Sequence, residues 1–277
     1  LCYITEVTVK VFTYQPENNQ YLGFTVDSMK TGFSILREVM VNGYKPAVAR
    51  LYDVEDGVQH GFNKFAGERC LLIFVTEGAK AISNATIGGI EDICRSYDDS
   101  KEVDSGAIKN WFANLNWGPD QIAEERKFIR KNLRVGFTTE VSGNWSCVDE
   151  MYTNTLRRIR EEFPHAADLE MLGCHSSHSY QNGTNLYFVY DYNVVDCEPS
   201  EEINKYHIPI NAIIVEESLK AGGTMVHHHG VGKYRVPWIK QEYGSSYYIL
   251  EALKKAYDPN KIMNTGTIFP RHESQLV

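Results

Sequence analysis

Polar and apolar residues alternate from Thr5 to Phe12 within Leu1-Cys-Tyr-Ile-Thr-Glu-Val-Thr-Val-Lys-Val-Phe12, a period of two that predicts a β-strand at the very start. After a turn-rich break from Pro16 to Gln20, the pattern predicts a strand over Tyr21 to Val26 and a helix over Met29 to Val41, closed by Asn42-Gly43. Ala47 to Tyr52 reads as the next strand. Cys70-Leu-Leu-Ile-Phe-Val-Thr76 is an apolar run with β-branched members, too short for a buried helix and suited to a central strand, and Glu77 to Arg95 supplies the following helix. Strand, helix, strand, short helix, strand, helix is the order of a ferredoxin-like α+β sandwich, an antiparallel sheet with helices on one face.

The same periodicities continue downstream. Glu102 to Asn132 carries Trp111, Phe112, Trp117, Phe128 and Ile129 among many charges and predicts helices laid across the sheet. A helix follows over Val148 to Glu162, then a strand from Leu169 to Ser176 that extends toward Tyr180, and another from Asn185 to Tyr192. Glu201 to Lys220 predicts a helix that Pro209 must begin, kink or interrupt. Tyr243, Tyr247, Leu250, Leu253 and Tyr257 fall on one face of a last helix that Asp258-Pro259 stops.

Composition narrows the class. In 277 residues with 43% hydrophobic content there is material for a proper core, in one large domain or two modest ones. With 28 basic against 36 acidic residues the net charge is −8 and no long run of like charge occurs, which argues against a nucleic-acid or anionic-membrane surface. No apolar stretch approaches the roughly 20 residues of a membrane span. Cys2, Cys70, Cys94, Cys147, Cys174 and Cys197 are scattered without a CxxC pair, the usage of reduced thiols in a cytoplasmic protein, and no metal ligand set is assigned.

Three clusters carry candidate chemistry. His227-His228-His229-Gly230-Val231-Gly232-Lys233 follows the helix stop Ala221-Gly222-Gly223. If the run is extended, His227 and His229 face one way and His228 the other, while Lys233 and Arg235 are placed to meet an anionic group. A surface cluster and a metal site are the competing readings. Cys174-His175-Ser-Ser-His178-Ser-Tyr180 ends a strand. A tyrosine buried beside histidines is a candidate general acid, whereas in the plain structural alternative Tyr180 caps a hairpin with His175 and His178 on the solvent face. Arg50-Leu-Tyr-Asp53 either forms a structural pair or aims the arginine into a cleft. No Walker loop, GxGxxG, GxSxG or HExxH is present.

Taken together, Ile4-Thr-Glu-Val-Thr-Val-Lys10, Pro46-Ala-Val-Ala-Arg-Leu-Tyr-Asp53, His178-Ser-Tyr-Gln-Asn-Gly-Thr-Asn-Leu-Tyr-Phe188, Gly222-Gly-Thr-Met-Val-His-His-His-Gly-Val-Gly-Lys233 and Leu253-Lys-Lys-Ala-Tyr-Asp-Pro-Asn-Lys-Ile-Met-Asn264 resemble the C-terminal, substrate-binding domain of FAD-linked oxidases of the vanillyl-alcohol oxidase superfamily, nearest its alkylglycerone-phosphate synthase branch. The resemblance implies that residues 1–12 are the last strand of a flavin-binding domain missing from the chain, and residues 13–277 the ferredoxin-like cap. It implies FAD as cofactor, Tyr180, His227, His228 and His229 as catalytic, Arg50, Lys233 and Asn264 as cofactor-binding, and His178 and Arg235 as substrate-binding. Two departures matter. Many members carry an arginine where this chain has Ser146-Cys147, which weakens a phosphate site. The His-x-Gly-Asp-Gly-Asn-x-His segment of metal-dependent 2-hydroxyacid dehydrogenases is not matched after His178, which disfavours that class. The expected function is the catalytic cap of an FAD-dependent oxidoreductase acting on an oxygenated small molecule such as a hydroxy acid or alcohol, inactive when taken alone. The alternatives are an ether-lipid-forming transferase and a non-enzymatic ferredoxin-like module with a histidine metal site. The expected partners are a small-molecule substrate and the flavin domain, with a homodimer left open.

Overall fold

The computed structural model describes residues 4–272. Seven strands, β1 (Gln20–Val26), β2 (Val48–Tyr52), β3 (Cys70–Thr76), β4 (Lys101–Val103), β5 (Arg134–Asn144), β6 (Leu169–Ser176) and β7 (Gly183–Asn193), pair antiparallel in one sheet of order β4-β1-β3-β2-β6-β7-β5. The first four strands with the helices Met29–Val41 and Lys80–Arg95 make the expected ferredoxin-like unit, and β2 joins it to the second half through Leu51↔Ser176 and Tyr52↔His175.

Local chemistry explains the elements. Ser28 caps the first helix by accepting from the Thr31 N–H, and its buried positions Met29, Gly32, Phe33, Leu36 and Val39 recur at steps of three and four. The helix Val148–Glu162 buries Val148, Met151, Thr155, Leu156 and Ile159 by the same rule. Cys70–Thr76 is buried along its whole length because both its faces are covered. Cys70, Leu72 and Phe74 enter the main core, and Leu71 and Ile73 join Tyr52, Phe62 and Ile108 in a second cluster.

Several expectations are corrected. Residues 4–15 form neither strand nor helix, and Ile4, Val7, Val9, Val11 and Phe12 are exposed, because a strand needs a neighbour for its N–H and C=O groups and this stretch pairs with none among the described residues. Leu1–Tyr3 and residues 273–277 lie outside the described residues. Strand β5 was not foreseen: Gly136, Gly143 and the Thr138-Thr139 pair weaken its strand signal, yet it pairs with β7 over its full length. Pro209 sits in the first turn of the helix Ile208–Lys220, behind a wide π turn at Ile203–His207 that accommodates the missing N–H. The last helix is split at Gly244 (φ 50°), and of its expected apolar face only Tyr247 is buried, with Tyr243, Leu253 and Tyr257 exposed. No helix among the described residues is long and apolar enough to cross a membrane. Cys70, Cys94, Cys147 and Cys174 are free and buried and Cys197 is free and half-buried, while Cys2 lies outside the described residues.

Candidate active site

Directly paired residues of an antiparallel ladder share a face. Glu140 pairs with Tyr187, Tyr187 with His175 and His175 with Tyr52, so these four side chains form a row across β5, β7, β6 and β2. Their sequence neighbours Val141, Leu186, Phe188, Cys174 and Leu51 lie in the main core under the helices, which places the row on the opposite face.

The histidine run is brought to this row by its flanks. Gly222 (φ 83°) ends the helix Ile208–Lys220, with the Gly223 N–H reaching back to the Ser218 carbonyl. The chain then runs beside β5, where the Thr224 N–H donates to the Ser142 carbonyl at 2.7 Å. Beyond Thr224 the run bends instead of extending. The alternating arrangement is therefore not adopted: both His227 and His228 point Nδ1 at Glu140 Oε1, at 2.9 and 2.7 Å, while His229 packs edge-on against Tyr187.

Glu140, 0% exposed, organises the cluster. The Asn185 amide donates to its Oε1 at 2.9 Å and the His228 backbone N–H to its Oε2 at 3.1 Å. Burial acts to raise its carboxyl, but the hydrogen bonds from the His228 N–H, Asn185 and His227 outweigh it and hold the group below the usual carboxylate range. Asn185 also fixes the turn after β6, accepting from the N–H groups of Ser177 and His178 at 2.8 and 2.9 Å. The His178 ring then lies 4.6 Å from His228 and 5.3 Å from His227. Its imidazole is held below its ordinary value first by burial and then by His228 and His227.

Tyr180 is not buried, at 47% exposed, yet its hydroxyl lies 2.9 Å from His227 Nε2. Its backbone is anchored by an N–H bond to the Gly183 carbonyl and by the Trp145 indole, which donates to the Tyr180 carbonyl at 3.1 Å. A hydrogen-bonded line thus runs from the solvent-facing Tyr180 through His227 to the buried Glu140. Arg235 is 6% exposed, donates to the Gly230 carbonyl at 3.1 Å and has no carboxylate partner among the described residues. Its charge helps hold His229 and His207 low, where burial is the larger cause.

The remaining predicted residues are dispersed. Arg50 does not pair with Asp53; it donates to the Tyr52 hydroxyl at 2.7 Å and lies 5.5 Å over the Trp111 ring. Asp53 caps the helix Val54–Gln59 and accepts from the Cys174 N–H and the Tyr152 hydroxyl. His175 is buried, not on the solvent face, with Nδ1 2.6 Å from Asp56. Lys233 is exposed on the short helix Gly232–Arg235. Asn264 (φ 47°) lines a separate cavity of about 950 Å³ with Lys254, Lys255, Lys261 and Arg271. Cys147 is buried, its thiol donating to the Asn144 carbonyl at 3.3 Å, so it offers no cation for a phosphate.

The sequence model of the family described as "FAD linked oxidases, C-terminal domain" matches residues 15–268. The chain belongs to that family. This FAD-linked oxidase domain is 62% identical over 270 residues to the "Uncharacterized FAD-linked oxidoreductase YgcU" of Escherichia coli (strain K12), covering 98% of the chain and 56% of that protein. It is 25% identical over 298 residues to the alkyldihydroxyacetonephosphate synthase of Trypanosoma brucei brucei, covering 98% of the chain and 47% of the relative. Among solved structures an alkyldihydroxyacetonephosphate synthase superposes with a TM-score of 0.61 at 19% identity over 92% of the chain and 45% of its own, a likeness of fold. The domain spans about half the length of the curated relatives it matches.

Sequence reasoning missed Glu140, Asn185 and Tyr187. The alternation of Val135, Phe137, Thr139 and Val141 is the signal that would have found β5. Nothing in it marks Glu140 as buried, because that depends on a segment 87 residues downstream folding over it.

Proposed function

We propose that the domain forms the substrate-binding and proton-handling surface of an FAD-dependent oxidoreductase that acts on an oxygenated small molecule, a hydroxy acid or alcohol. The observation that carries the reading is the line Tyr180, His227, Glu140: an accessible hydroxyl, an imidazole and a buried anion in hydrogen-bond contact. Bound FAD supplies the electron acceptor. The Tyr180 hydroxyl moves the proton of the substrate oxygen, and His227 Nε2 exchanges a proton with that hydroxyl while Glu140 orients the ring through Nδ1. Arg235, buried without a carboxylate partner among the described residues, suits an anionic substituent on the substrate.

The fit to FAD rests on the sheet face that carries the row. Tyr187, backed by the buried His175 ring at 4.7 Å, and Arg50 over Trp111 are half-buried flat groups on this face, a set that suits a planar ring system. Arg50, Asn264 and Lys233 are the residues we assign to the cofactor, and residues 1–12 to the edge of the flavin-binding domain, in line with the exposed side chains of Ile4, Val7, Val9, Val11 and Phe12. The transferase alternative draws support from the 25% identity to the Trypanosoma synthase. It is the weaker reading because Cys147 stands where a phosphate-binding arginine is expected.

The test is Tyr180→Phe in the flavin-containing parent protein. Turnover is expected to fall by about 10²-fold or more with the fold unchanged, and unchanged turnover removes Tyr180 from the mechanism. Visible absorption of the purified chain after adding FAD and desalting tests the domain division. A colourless chain supports it, and a retained flavin band overturns it.

A further inference from the structure

We propose that His175 is a further substrate-binding residue, held as a hydrogen-bond acceptor by Asp56, and that it receives a hydroxyl of the substrate other than the one Tyr180 serves, so that the substrate class is a polyhydroxylated acid. The inference rests on the redox reading and narrows it. The Asp56 side chain is 1% exposed, and its carboxylate stands between two imidazoles, with Oδ2 2.6 Å from His175 Nδ1 and Oδ1 3.4 Å from His60 Nε2. Burial acts to raise its carboxyl, but the contacts with His175 and His60 outweigh it and bring the group down to about 2. An ionised carboxylate only accepts, so His175 donates from Nδ1, and a neutral ring protonated there carries its lone pair on Nε2. Burial above all, then the charges of Arg50 and His60, holds the ring below its ordinary value against the pull of Asp56, which keeps it neutral at neutral pH.

The rest of the ring is closed off. Tyr187 stacks on one face at 4.7 Å and 18°, Tyr52 covers the side toward β2 at 5.0 Å and 36°, and Asp56 takes the Nδ1 edge. Nε2 lies at the far end of the imidazole from the backbone and has no partner among the described residues, and the side chain is 11% exposed, so this tip is what reaches the face that carries the row. A histidine kept for packing alone would leave that acceptor unsatisfied, a cost that a ligand hydroxyl removes. The support beneath it is built. Asp53 accepts from the N–H groups of Asp56 and Cys174 at 2.9 and 2.8 Å, tying the start of the helix Val54–Gln59 to β6. Gly173 makes the room, since a Cβ there would fall 2.6 Å from Asp56 N and 3.0 Å from Asp53 Oδ1.

Position and chemistry select the ligand. In the row, Glu140 and His175 stand two strand spacings apart, about 10 Å, with Tyr187 between them. The Tyr180 line hangs on Glu140, so a molecule lying over Tyr187 meets that line at one end and Nε2 at the other. A carboxylate or phosphate would set lone pairs against Nε2, whereas a hydroxyl brings a proton. Arg235 suits the acid group of the same molecule. One hydroxyl cannot serve both ends, and an extended chain with several can.

The test is an NMR titration of the 277-residue chain labelled with 15N-histidine, with His175 assigned through its backbone. The Nδ1–H tautomer is expected, and gluconate, galactonate or mannonate should shift the Nε2 resonance, whereas 2-hydroxyhexanoate, the same carbon chain with a single hydroxyl, should not. In the flavin-containing parent, His175→Phe, which keeps a flat ring between the tyrosines, should lower the ratio of kcat/KM for the polyhydroxylated acid to that for 2-hydroxyhexanoate by about 10-fold. The titration of the unaltered chain stands whether or not the variant folds. An Nε2–H tautomer, no response to any of the polyhydroxylated acids, an equal response to 2-hydroxyhexanoate, or a response to FAD alone overturns the proposal. Failure of the flavin reading by itself would leave the His175 response in place and abolish only flavin-dependent turnover in the parent.

Discussion

A buried carboxylate left without partners costs several kcal/mol, and Glu140 shows how one such residue imposes order on its neighbours. Its two oxygens collect a side-chain amide, a backbone N–H and two imidazoles. A second buried group, His207, behaves differently because no anion among the described residues compensates it. Its Nδ1 lies 2.7 Å from the Tyr190 hydroxyl and its ring stacks on Phe137 at 4.4 Å. Burial, and secondarily the charge of Arg235, lowers its pKa from 6.5 to about 4. Since folding lowers this pKa, the contribution of His207 to stability is complete above about 6.5 and is lost as pH falls through about 4. We expect the loss of unfolding free energy between about pH 7 and about pH 4.5 to be smaller in His207→Gln than in the parent protein, by urea titration at both pH values. Equal losses would show that His207 does not titrate across folding. At this scale the sequence singled out Tyr180, His178 and the histidine run by their unusual grouping. It left Glu140 and His207 unmarked, since a lone Glu or His has no signature of burial.

Among the elements, the β5–β7 ladder decides whether the site exists. It runs in unbroken register from Arg134↔Asn193 to Asn144↔Gly183, setting Glu140 opposite Tyr187 and Ser142 opposite Asn185. A shift of one residue would turn Glu140 into the helical core. Gly183 closes the ladder where the backbones come nearest: a Cβ there would fall 2.9 Å from Asn144 Cα and closer still to the Gly143 carbonyl oxygen. Gly183→Ala is therefore expected to cost about 1–3 kcal/mol by urea unfolding and to disturb Tyr180, whose N–H bonds the Gly183 carbonyl. A neutral effect would mean that the strand ends separate without loss. The strands with clean patterns, β1, β2, β3, β6 and β7, were legible from period and length. β5 alternates as well, but Gly136, Gly143 and the Thr138-Thr139 pair weaken its pattern.

For the whole molecule, the sheet divides the labour between its faces. One is packed under the helices Met29–Val41, Lys80–Arg95, Val148–Glu162 and Ile208–Lys220, and the other carries the row of Glu140, Tyr187, His175 and Tyr52. Residues 4–14 stand apart, with Val11 80% and Tyr14 86% exposed. Amide hydrogen exchange should show rapid exchange there and strong protection in β3 and β7, and protection of residues 4–14 in the chain alone would reveal pairing that the fold does not contain. The sequence by itself determined the fold class, since periods of two and 3.6 follow from which faces must leave water, and a family's motifs survive as short contiguous strings. Only the tertiary structure decided that His227 and His228 converge on one carboxylate, that Arg50 turns to Trp111 instead of Asp53, and that the terminal stripe stays largely exposed. Each of these depends on which distant segments share a face, and that is set by strand register and chain reversal, not by local pattern.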